Sequence, residues 1–402
     1  MNRNTFSTAI CLLPPAEQAL RTSRLKGILR EAGADSAIIR DNANIYYLTG
    51  RVFCGYVYIH TEADALLYFV RRPNHLTGEG IHWIRKVEEI PAILSSCGTP
   101  APGRMAIGLD SLTYNEAARI AKAFGKDAAA APNASAAMRR CRAVKTAFEQ
   151  DKLRLSGEKQ TRVYTEIPRM YREGMTDIEF QIEIERASRL EGCLGQFRVA
   201  GSDMELYMGN VLTGDNANTP SPYDFAMGGA GLDPSIPVGA NGEMIRRGMP
   251  VMVDVNGNYT GYMTDMTRCY ALGEVSDKVQ HALEVSRDIC RTLAEKGVPG
   301  TPARDLYELA RSMAEEAGLG ENFMGHRSHA GFVGHGVGIE VNELPVLAPR
   351  SKDILEAGNV VAIEPKFVLP GTGAVGIENT YIVTDKGMTA ITTANEAIVS
   401  LG

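Results

Sequence analysis

The sequence has no long apolar run and no excess of basic charge, and each absence excludes a class of protein. No stretch approaches the roughly 20 apolar residues that cross a bilayer, and the run at 9–13 is too short for the apolar part of a signal peptide. The net charge of −6 gives no electrostatic footprint for nucleic acid or an anionic membrane. We therefore expect a cytoplasmic protein without nucleic-acid or membrane partners.

Paired cysteines are also lacking. The 7 cysteines are scattered without a Cys-x-x-Cys pair, which predicts neither a disulfide framework nor a zinc ribbon. We interpret them as small buried residues in a reducing compartment, and not as nucleophiles. What the sequence does have is length and an ordinary composition: 402 residues, 44% of them hydrophobic, are enough for about two to three domains, each with its own core.

Two kinds of pattern divide the chain. From about residue 18 to 130, helix-like and strand-like segments alternate, which is typical of an α/β domain. An Ala-rich stretch and a basic cluster then mark a boundary, so we predict one domain over 1–135 and a second over 136–402. The second domain should begin with a long helix over 146–173, and paired strands should follow a loop rich in Gly and Pro at 216–242.

Acidic side chains lie in apolar, strand-like runs of the second domain. An ionised carboxylate there is costly to bury unless it is paired or binds a cation. The turn signal Asn256-Gly257 predicts a folded-back ribbon that carries Asp254 and Asp265, and a second predicted ribbon carries Glu364 and Glu378. A shared metal site would explain all four carboxylates.

His335 completes the predicted metal site. It lies among glycines at 334–338, where missing side chains would leave room for a ligand. Four carboxylates and two divalent cations cancel in charge, and two ions can bridge a water, lower its pKa toward about 7 and polarise the carbonyl it attacks. The oxygen-rich ligand set favours Mn²⁺, Co²⁺, Fe²⁺ or Zn²⁺. The five residues together predict a hydrolase with a dinuclear centre.

The segments around these residues resemble the motifs of the pita-bread metallopeptidases, which include aminopeptidase P, prolidase, methionine aminopeptidase and creatinase. The resemblance lies in the two aspartates eleven residues apart at 254 and 265, and in the segments 334–343, 363–365 and 376–384. The segment 44–50 is similar to a creatinase-type N-terminal domain, which methionine aminopeptidases generally lack. The fold implied is an α/β N-terminal domain followed by an α+β pita-bread catalytic domain, with a homodimer as the implied assembly.

The resemblance implies a role for each metal ligand. Asp254 would chelate one ion, Asp265 and Glu378 would bridge both ions, and His335 with Glu364 would complete the other. Glu364 would also be the catalytic general base that activates a bridging hydroxide. The implied activity is that of an Xaa-Pro aminopeptidase or dipeptidase acting on small peptides, with Mn²⁺ as the preferred metal and Co²⁺, Zn²⁺ or Fe²⁺ as alternatives.

Three positions around the expected substrate depart from the family. Relatives carry a histidine on the loop that corresponds to 233–237, whereas this chain has none between His82 and His281. The second family histidine, seven residues after the metal-binding one, is Asn342 here. The arginine that often stands two residues before the last glutamate is Gly376. The sequence therefore predicts an intact metal centre in an altered pocket.

Other residues could take the roles of the missing family histidines. We predict that Tyr223 and Asn342 contact substrate, with Asp224 and Asp233 as alternatives for the loop position. His329 is the predicted second catalytic residue, because it could supply the missing imidazole. A solvent-exposed loop residue is the structural alternative for the same histidine.

Two further interpretations of the whole chain stay open. One is a non-peptide hydrolase or a lyase on the same scaffold, as creatinase and the sulfonium-cleaving relatives illustrate. The other is a non-catalytic pita-bread binding module, which would have less reason to retain every ligand because unpaired buried carboxylates destabilise a fold.

Overall fold

The computed structural model describes residues 7–201, 204–205 and 207–402, and the chain divides into the compact units Met1–Arg142 and Ala143–Gly402. The sequence places the division near residue 135. The helix at this point, α5 (Ala134–Ala143), explains the later position. Its Met138 and Cys141 are fully buried, and Arg142 donates to the Asn44 side-chain oxygen at 2.7 Å, so the helix belongs to the first unit.

The first unit is a five-stranded sheet with helices, as the alternating pattern predicts. Its elements besides α5 are α1 (Pro15–Glu31), β1 (Ser36–Ile39), α2 (Asn42–Thr49), β2 (Cys54–His60), β3 (Leu67–Arg72), β4 (Ile81–Trp83), α3 (Ile90–Ser96), β5 (Met105–Ile107) and α4 (Tyr114–Ala123). Strand β1 pairs parallel with β5 and antiparallel with β2, and the order across the sheet is β4-β3-β2-β1-β5.

The second unit is an α+β domain. Its helices are α6 (Ala147–Glu166), α7 (Asp177–Leu190), α8 (Asp277–Lys296) and α9 (Ala303–Glu316). Its strands are β6 (Gly209–Thr213), β7 (Pro250–Val255), β8 (Gly257–Asn258), β9 (Met263–Thr264), β10 (Thr267–Ala271), β11 (Gly334–Gly336), β12 (Glu343–Leu347), β13 (Val360–Ile363), β14 (Lys366–Leu369), β15 (Gly373–Gly376), β16 (Asn379–Thr384), β17 (Gly387–Ala390) and β18 (Val399–Ser400).

Two sheets and two ribbons organise these strands. One sheet has the order β18-β10-β7-β6 and the other the order β12-β11-β13-β16-β17, while β14 pairs with β15 and β8 with β9. Apolar residues of α8 and α9, among them Leu283, Ile289 and Leu306, pack in one core with Met252 and Ile363 of the two sheets. The strands that precede or follow the predicted ligands are therefore anchored in a common core.

Helix α6 is shorter than the sequence predicts. Thr146 caps it, accepting from the Glu149 backbone N–H, while the Glu149 carboxylate accepts from the Thr146 N–H. The helix ends at Glu166, and a 3₁₀ turn follows over Ile167–Met170. Pro168 accounts for the early end, since proline has no N–H to continue the helical hydrogen bonds.

Cysteine placement agrees only in part with the sequence interpretation. All 7 cysteines are free thiols, and Cys141, Cys193, Cys269 and Cys290 are buried. Cys97, in contrast, is exposed. As to membranes, the part of the chain that the structure describes contains no helix long and apolar enough to cross a bilayer.

Candidate metal centre

Asp254 lies in strand β7, and Asp265 lies just before the neighbouring strand β10 of the same sheet. Asp254 is in β7, opposite Thr267 of β10 in the antiparallel register, and Asp265 comes two residues before that partner. The Asp265 N–H donates to the Thr380 hydroxyl oxygen at 2.8 Å, which fixes the aspartate against β16. Folding back of the chain thus brings the two carboxylates to the same place, as the ribbon prediction requires.

The position of the turn in this ribbon differs from the prediction. The chain continues past Asn256 into β8, which pairs with β9, and it turns between Asn258 and Met263. A Cβ on Gly257 would lie 2.9 Å from the Thr264 hydroxyl oxygen and 3.0 Å from the Gln160 side chain, so this glycine permits a close approach and does not form the turn. Asn256, with its NH₂ group facing Asp265, donates to both carboxylate oxygens at 3.1 and 2.8 Å.

Helix α6 holds the ends of both aspartate segments. The Val255 N–H donates to the Tyr164 hydroxyl oxygen at 2.9 Å, and that hydroxyl also contacts the Met266 carbonyl. One turn earlier, the Gln160 amide donates to the Val255 carbonyl at 2.6 Å and accepts from the Thr264 hydroxyl at 2.7 Å. Each aspartate therefore follows or precedes a residue that is tied to the helix.

The two glutamates occupy equivalent junctions in the second ribbon. Glu364 lies between β13 and β14, and Glu378 lies between β15 and β16, with the turn at 370–372 as predicted. The Glu364 N–H donates to the Val333 carbonyl at 3.0 Å. The Thr267 hydroxyl donates to Glu378 Oε2 at 2.8 Å, which joins the second ribbon to the aspartate strands.

His335 is the central residue of β11, which lies between β12 and β13. Its Nδ1 is 3.1 Å from the Gly336 carbonyl and its Nε2 is 3.2 Å from Glu364 Oε1, so Nε2 faces the carboxylates. The flanking glycines serve the sheet and not a ligand. A Cβ on Gly334 would lie 2.4 Å from the Ala362 carbonyl oxygen, and one on Gly336 would lie 2.2 Å from the Leu344 carbonyl oxygen.

All five predicted ligands line one cavity of about 80 Å³. Three of them, Asp265, His335 and Glu378, each offer one ligand atom within 4.8 Å of the other two. Glu378 Oε1 is buried without a hydrogen-bond partner, which is costly for a carboxylate unless a cation binds there. An imidazole and two carboxylates, one of which has an unpartnered oxygen, therefore fit a divalent metal ion.

The electrostatics also favour a cation. Burial raises the pKa of Asp265 to about 7, and the nearby Asp254 carboxylate adds to the rise. Burial, with Asp265 and Glu364 next, raises the pKa of Glu378 well above its ordinary value. Burial alone would lower the pKa of His335, but the hydrogen bond and charge of Glu364 raise it to about 9. The close carboxylates therefore favour the binding of a cation in the cavity.

A lysine that the sequence interpretation missed lies against these carboxylates. Lys366 is fully buried, and its Nζ donates to Glu364 Oε2 at 2.7 Å, Asp254 Oδ2 at 2.8 Å and Glu378 Oε2 at 3.1 Å. Burial alone would lower the pKa of Lys366, but the three carboxylates raise it well above its usual value. The signal was present in the sequence, because residues two apart in an extended chain point to the same side.

The predicted substrate residues Asn342 and Tyr223 and the predicted catalytic residue His329 do not all line the metal cavity. Asn342 lines it, but its side chain is paired with the Ala200 backbone, accepting from N–H at 2.7 Å and donating to the carbonyl at 2.8 Å. Tyr223 lines a neighbouring cavity and donates to Glu205 Oε2 at 2.8 Å. His329 lines that neighbouring cavity too, is exposed, and has Nδ1 2.9 Å from the Phe323 carbonyl.

The remaining candidates are also placed by the structure. Asp224 lines both cavities, whereas Asp233 lines neither and accepts from the Ser235 N–H at 2.9 Å. His326 is exposed. Arg268 is buried and donates to the Glu378 carbonyl at 2.8 Å and to Asn379 Oδ1 at 2.7 Å. It stabilises the chain behind the glutamate.

Comparison with known proteins agrees with this geometry. Residues 151–385 match the family described as metallopeptidase family M24, and residues 21–144 match the creatinase/prolidase N-terminal domain. The uncharacterized peptidase YqhT of Bacillus subtilis is 26% identical over 390 residues, which cover 95% of this chain and 100% of that protein. An Xaa-Pro dipeptidase of Pyrococcus horikoshii is 32% identical over 171 residues, 42% of this chain and 47% of that protein.

Among solved structures, the Xaa-Pro dipeptidase from Bacillus anthracis has a TM-score of 0.78 and 24% sequence identity, and the match covers 95% of this chain and 99% of that chain. At this identity the likeness establishes the fold. It agrees with the two-domain architecture expected from the sequence.

Proposed function

Because this chain belongs to metallopeptidase family M24, we propose that it releases the N-terminal residue from Xaa-Pro dipeptides or short Xaa-Pro peptides. The observation that carries the proposal is the convergence of Asp265, His335 and Glu378 ligand atoms within 4.8 Å of one another, in a cavity that Glu364 also lines. These residues would hold the divalent metal that the family uses. When bound, such a metal acidifies a water and polarises the scissile carbonyl.

Glu364 would act as the general base in this proposal. A base must be ionised at the working pH in order to accept a proton. Lys366 Nζ at 2.7 Å and His335 Nε2 at 3.2 Å favour the ionised form of the Glu364 carboxylate. The carboxylate would take a proton from the attacking water and pass it to the leaving amine.

The rest of the cavity supports a small, partly apolar substrate. Val199, Phe225, Phe332 and Val341 contribute apolar surface beside the carboxylates. Proteins named Xaa-Pro dipeptidase are among the relatives and structural neighbours, which is the ground for proposing proline after the scissile bond. Use of Mn²⁺, a homodimeric assembly and a cytoplasmic location, all expected from the sequence or the resemblance, belong to the same proposal.

The test is metal-dependent cleavage of a panel of peptides. Protein loaded with Mn²⁺, Co²⁺ or Zn²⁺ should release the N-terminal residue from Xaa-Pro dipeptides or Xaa-Pro tripeptides faster than from matched peptides with alanine in place of proline. Glu364→Gln is the control for turnover by the site. Metal-loaded protein that cleaves alanine peptides as fast as proline peptides would refute the specificity, and one that cleaves none would refute the activity.

A further inference from the structure

The ammonium group of Lys366 occupies a position that a metal ion would need. It has three N–H donors, and three carboxylate oxygens lie at 2.7, 2.8 and 3.1 Å from Nζ. A transition-metal ion bound to the same oxygens would lie about 2.0–2.2 Å from each of them. Such an ion and the ammonium cannot both be there, because they would overlap and repel.

The ligand atoms divide into two groups. Lys366 uses Asp254 Oδ2, Glu364 Oε2 and Glu378 Oε2. The opposite oxygens remain for a cation: Glu364 Oε1 faces His335 Nε2 at 3.2 Å, and Glu378 Oε1 has no hydrogen-bond partner. Asp265, His335 and Glu378 each offer one ligand atom within 4.8 Å of the other two, which gives one metal position on the His335 side, while the ammonium lies on the Asp254 side.

Gly376 provides the room for this lysine. It is the direct cross-strand partner of Lys366 in the ribbon of β14 and β15. A Cβ at this position would lie 2.9 Å from Lys366 Cα, 3.1 Å from its Cγ and 2.7 Å from the Pro365 carbonyl oxygen. A long side chain at residue 376 would therefore crowd the lysine. The absence of a side chain at Gly376 in β15 therefore leaves space for the Lys366 side chain of β14, which carries the positive charge.

Charge alone does not decide the number of ions. Four carboxylates with the ammonium and one divalent ion leave one net negative charge, and with two divalent ions they leave one net positive charge. The location of the Lys366 ammonium limits the number of ions, because Nζ already occupies one of the two cation positions.

We infer that this site binds a single divalent metal ion, held by Asp265, His335 and Glu378 with Glu364, and that the Lys366 ammonium is a built-in substitute for the second ion. The inference rests on the proposed metal-dependent function and specifies its cofactor. Lys366 also positions Glu364 and Asp254 in place of the missing ion.

The experiment counts metal ions. Purified full-length protein is stripped of metal with a chelator, titrated with Mn²⁺ by calorimetry, and analysed for manganese per chain after dialysis. Electron paramagnetic resonance then distinguishes an isolated Mn²⁺ from a spin-coupled pair. The wild type should bind one Mn²⁺ with the spectrum of an isolated ion, and Lys366→Met should bind two with a coupled spectrum. Lys145→Met, which removes a buried lysine paired with Glu343, is the matched control and should still bind one.

The outcomes separate this inference from the proposed function. Two tightly bound ions in the wild type would overturn the inference even if Xaa-Pro cleavage is observed. One ion in both the wild type and Lys366→Met would also overturn it, since the lysine would then not be what excludes the second ion. No bound metal in the wild type would overturn the proposed function as well. A wild-type count of two ions overturns the inference without any variant, so this part of the test does not depend on the folding of Lys366→Met.

Discussion

Replacing Lys366 with methionine should destabilise the metal-free protein strongly. The ammonium is fully buried and is hydrogen-bonded to three carboxylates, so its removal leaves uncompensated negative charge in the cavity. Breaking a buried ion pair by removing one partner costs about 3–5 kcal/mol. For a unit of this size, 1 kcal/mol corresponds to about 2–4 °C, so the melting temperature should fall by about 6–20 °C.

Metal should reverse this loss, and that reversal distinguishes the site lysine from other buried lysines. One ion at a hundred times its dissociation constant stabilises the folded state by about 2.7 kcal/mol, so two ions should give roughly twice that gain. The metal-induced rise in melting temperature should therefore be about twofold larger in Lys366→Met than in the wild type. Lys145→Met should lose a similar amount of stability, because Lys145 and Glu343 are 1% and 2% exposed, but Mn²⁺ should add no more than in the wild type.

The assay is thermal unfolding followed by circular dichroism, with and without chelator and across a Mn²⁺ titration. The reasoning is refuted if metal-free Lys366→Met melts at the wild-type temperature, since the ammonium would then not be balancing the carboxylates. It is equally refuted if Mn²⁺ stabilises the lysine-free variant no more than the wild type.

Three further predictions concern turnover of an Xaa-Pro peptide. Glu364→Gln should lower kcat by about 10²–10⁴-fold, because it removes the proposed base and keeps the side-chain shape; unchanged kcat would exclude the role. His329→Ala should raise KM more than it lowers kcat, because the ring lines the neighbouring cavity, and a loss confined to kcat would instead place His329 in the proton transfer. Asn342→Ala should raise KM by releasing the Ala200 backbone beside the cavity, whereas KM equal to the wild type would show that this clamp does not shape the pocket.

The sequence was sufficient to find the ligand-bearing ribbons, because apolar runs and turn signals fix which segments fold back. It did not locate the first turn correctly. Asn256-Gly257 is a strong turn signal, but the asparagine amide binds Asp265 and the glycine permits close packing on Gln160. A tertiary use of both residues overrode their local preference.

Lys366 shows a different kind of omission. Its position two residues after Glu364 indicated a common side, yet a lysine is rarely fully buried, so the pattern alone favoured the surface. The contacts of His329 and Asn342 could not be predicted from the sequence for another reason. Loop residues are placed by contacts distant along the chain, such as the one between Asn342 and Ala200, and no local periodicity reports those contacts.

The hydrogen bonds of Gln160 and Tyr164 have a practical consequence for dissecting the chain. These two side chains, one helical turn apart, fasten the residues that flank Asp254 and Asp265. A truncated fragment that starts after Glu166 would keep every metal-ligating residue and still lose the brace that sets the separation of the two aspartates. A truncated catalytic domain therefore has to begin upstream of Thr146, so that it includes helix α6 and its cap together with the metal ligands.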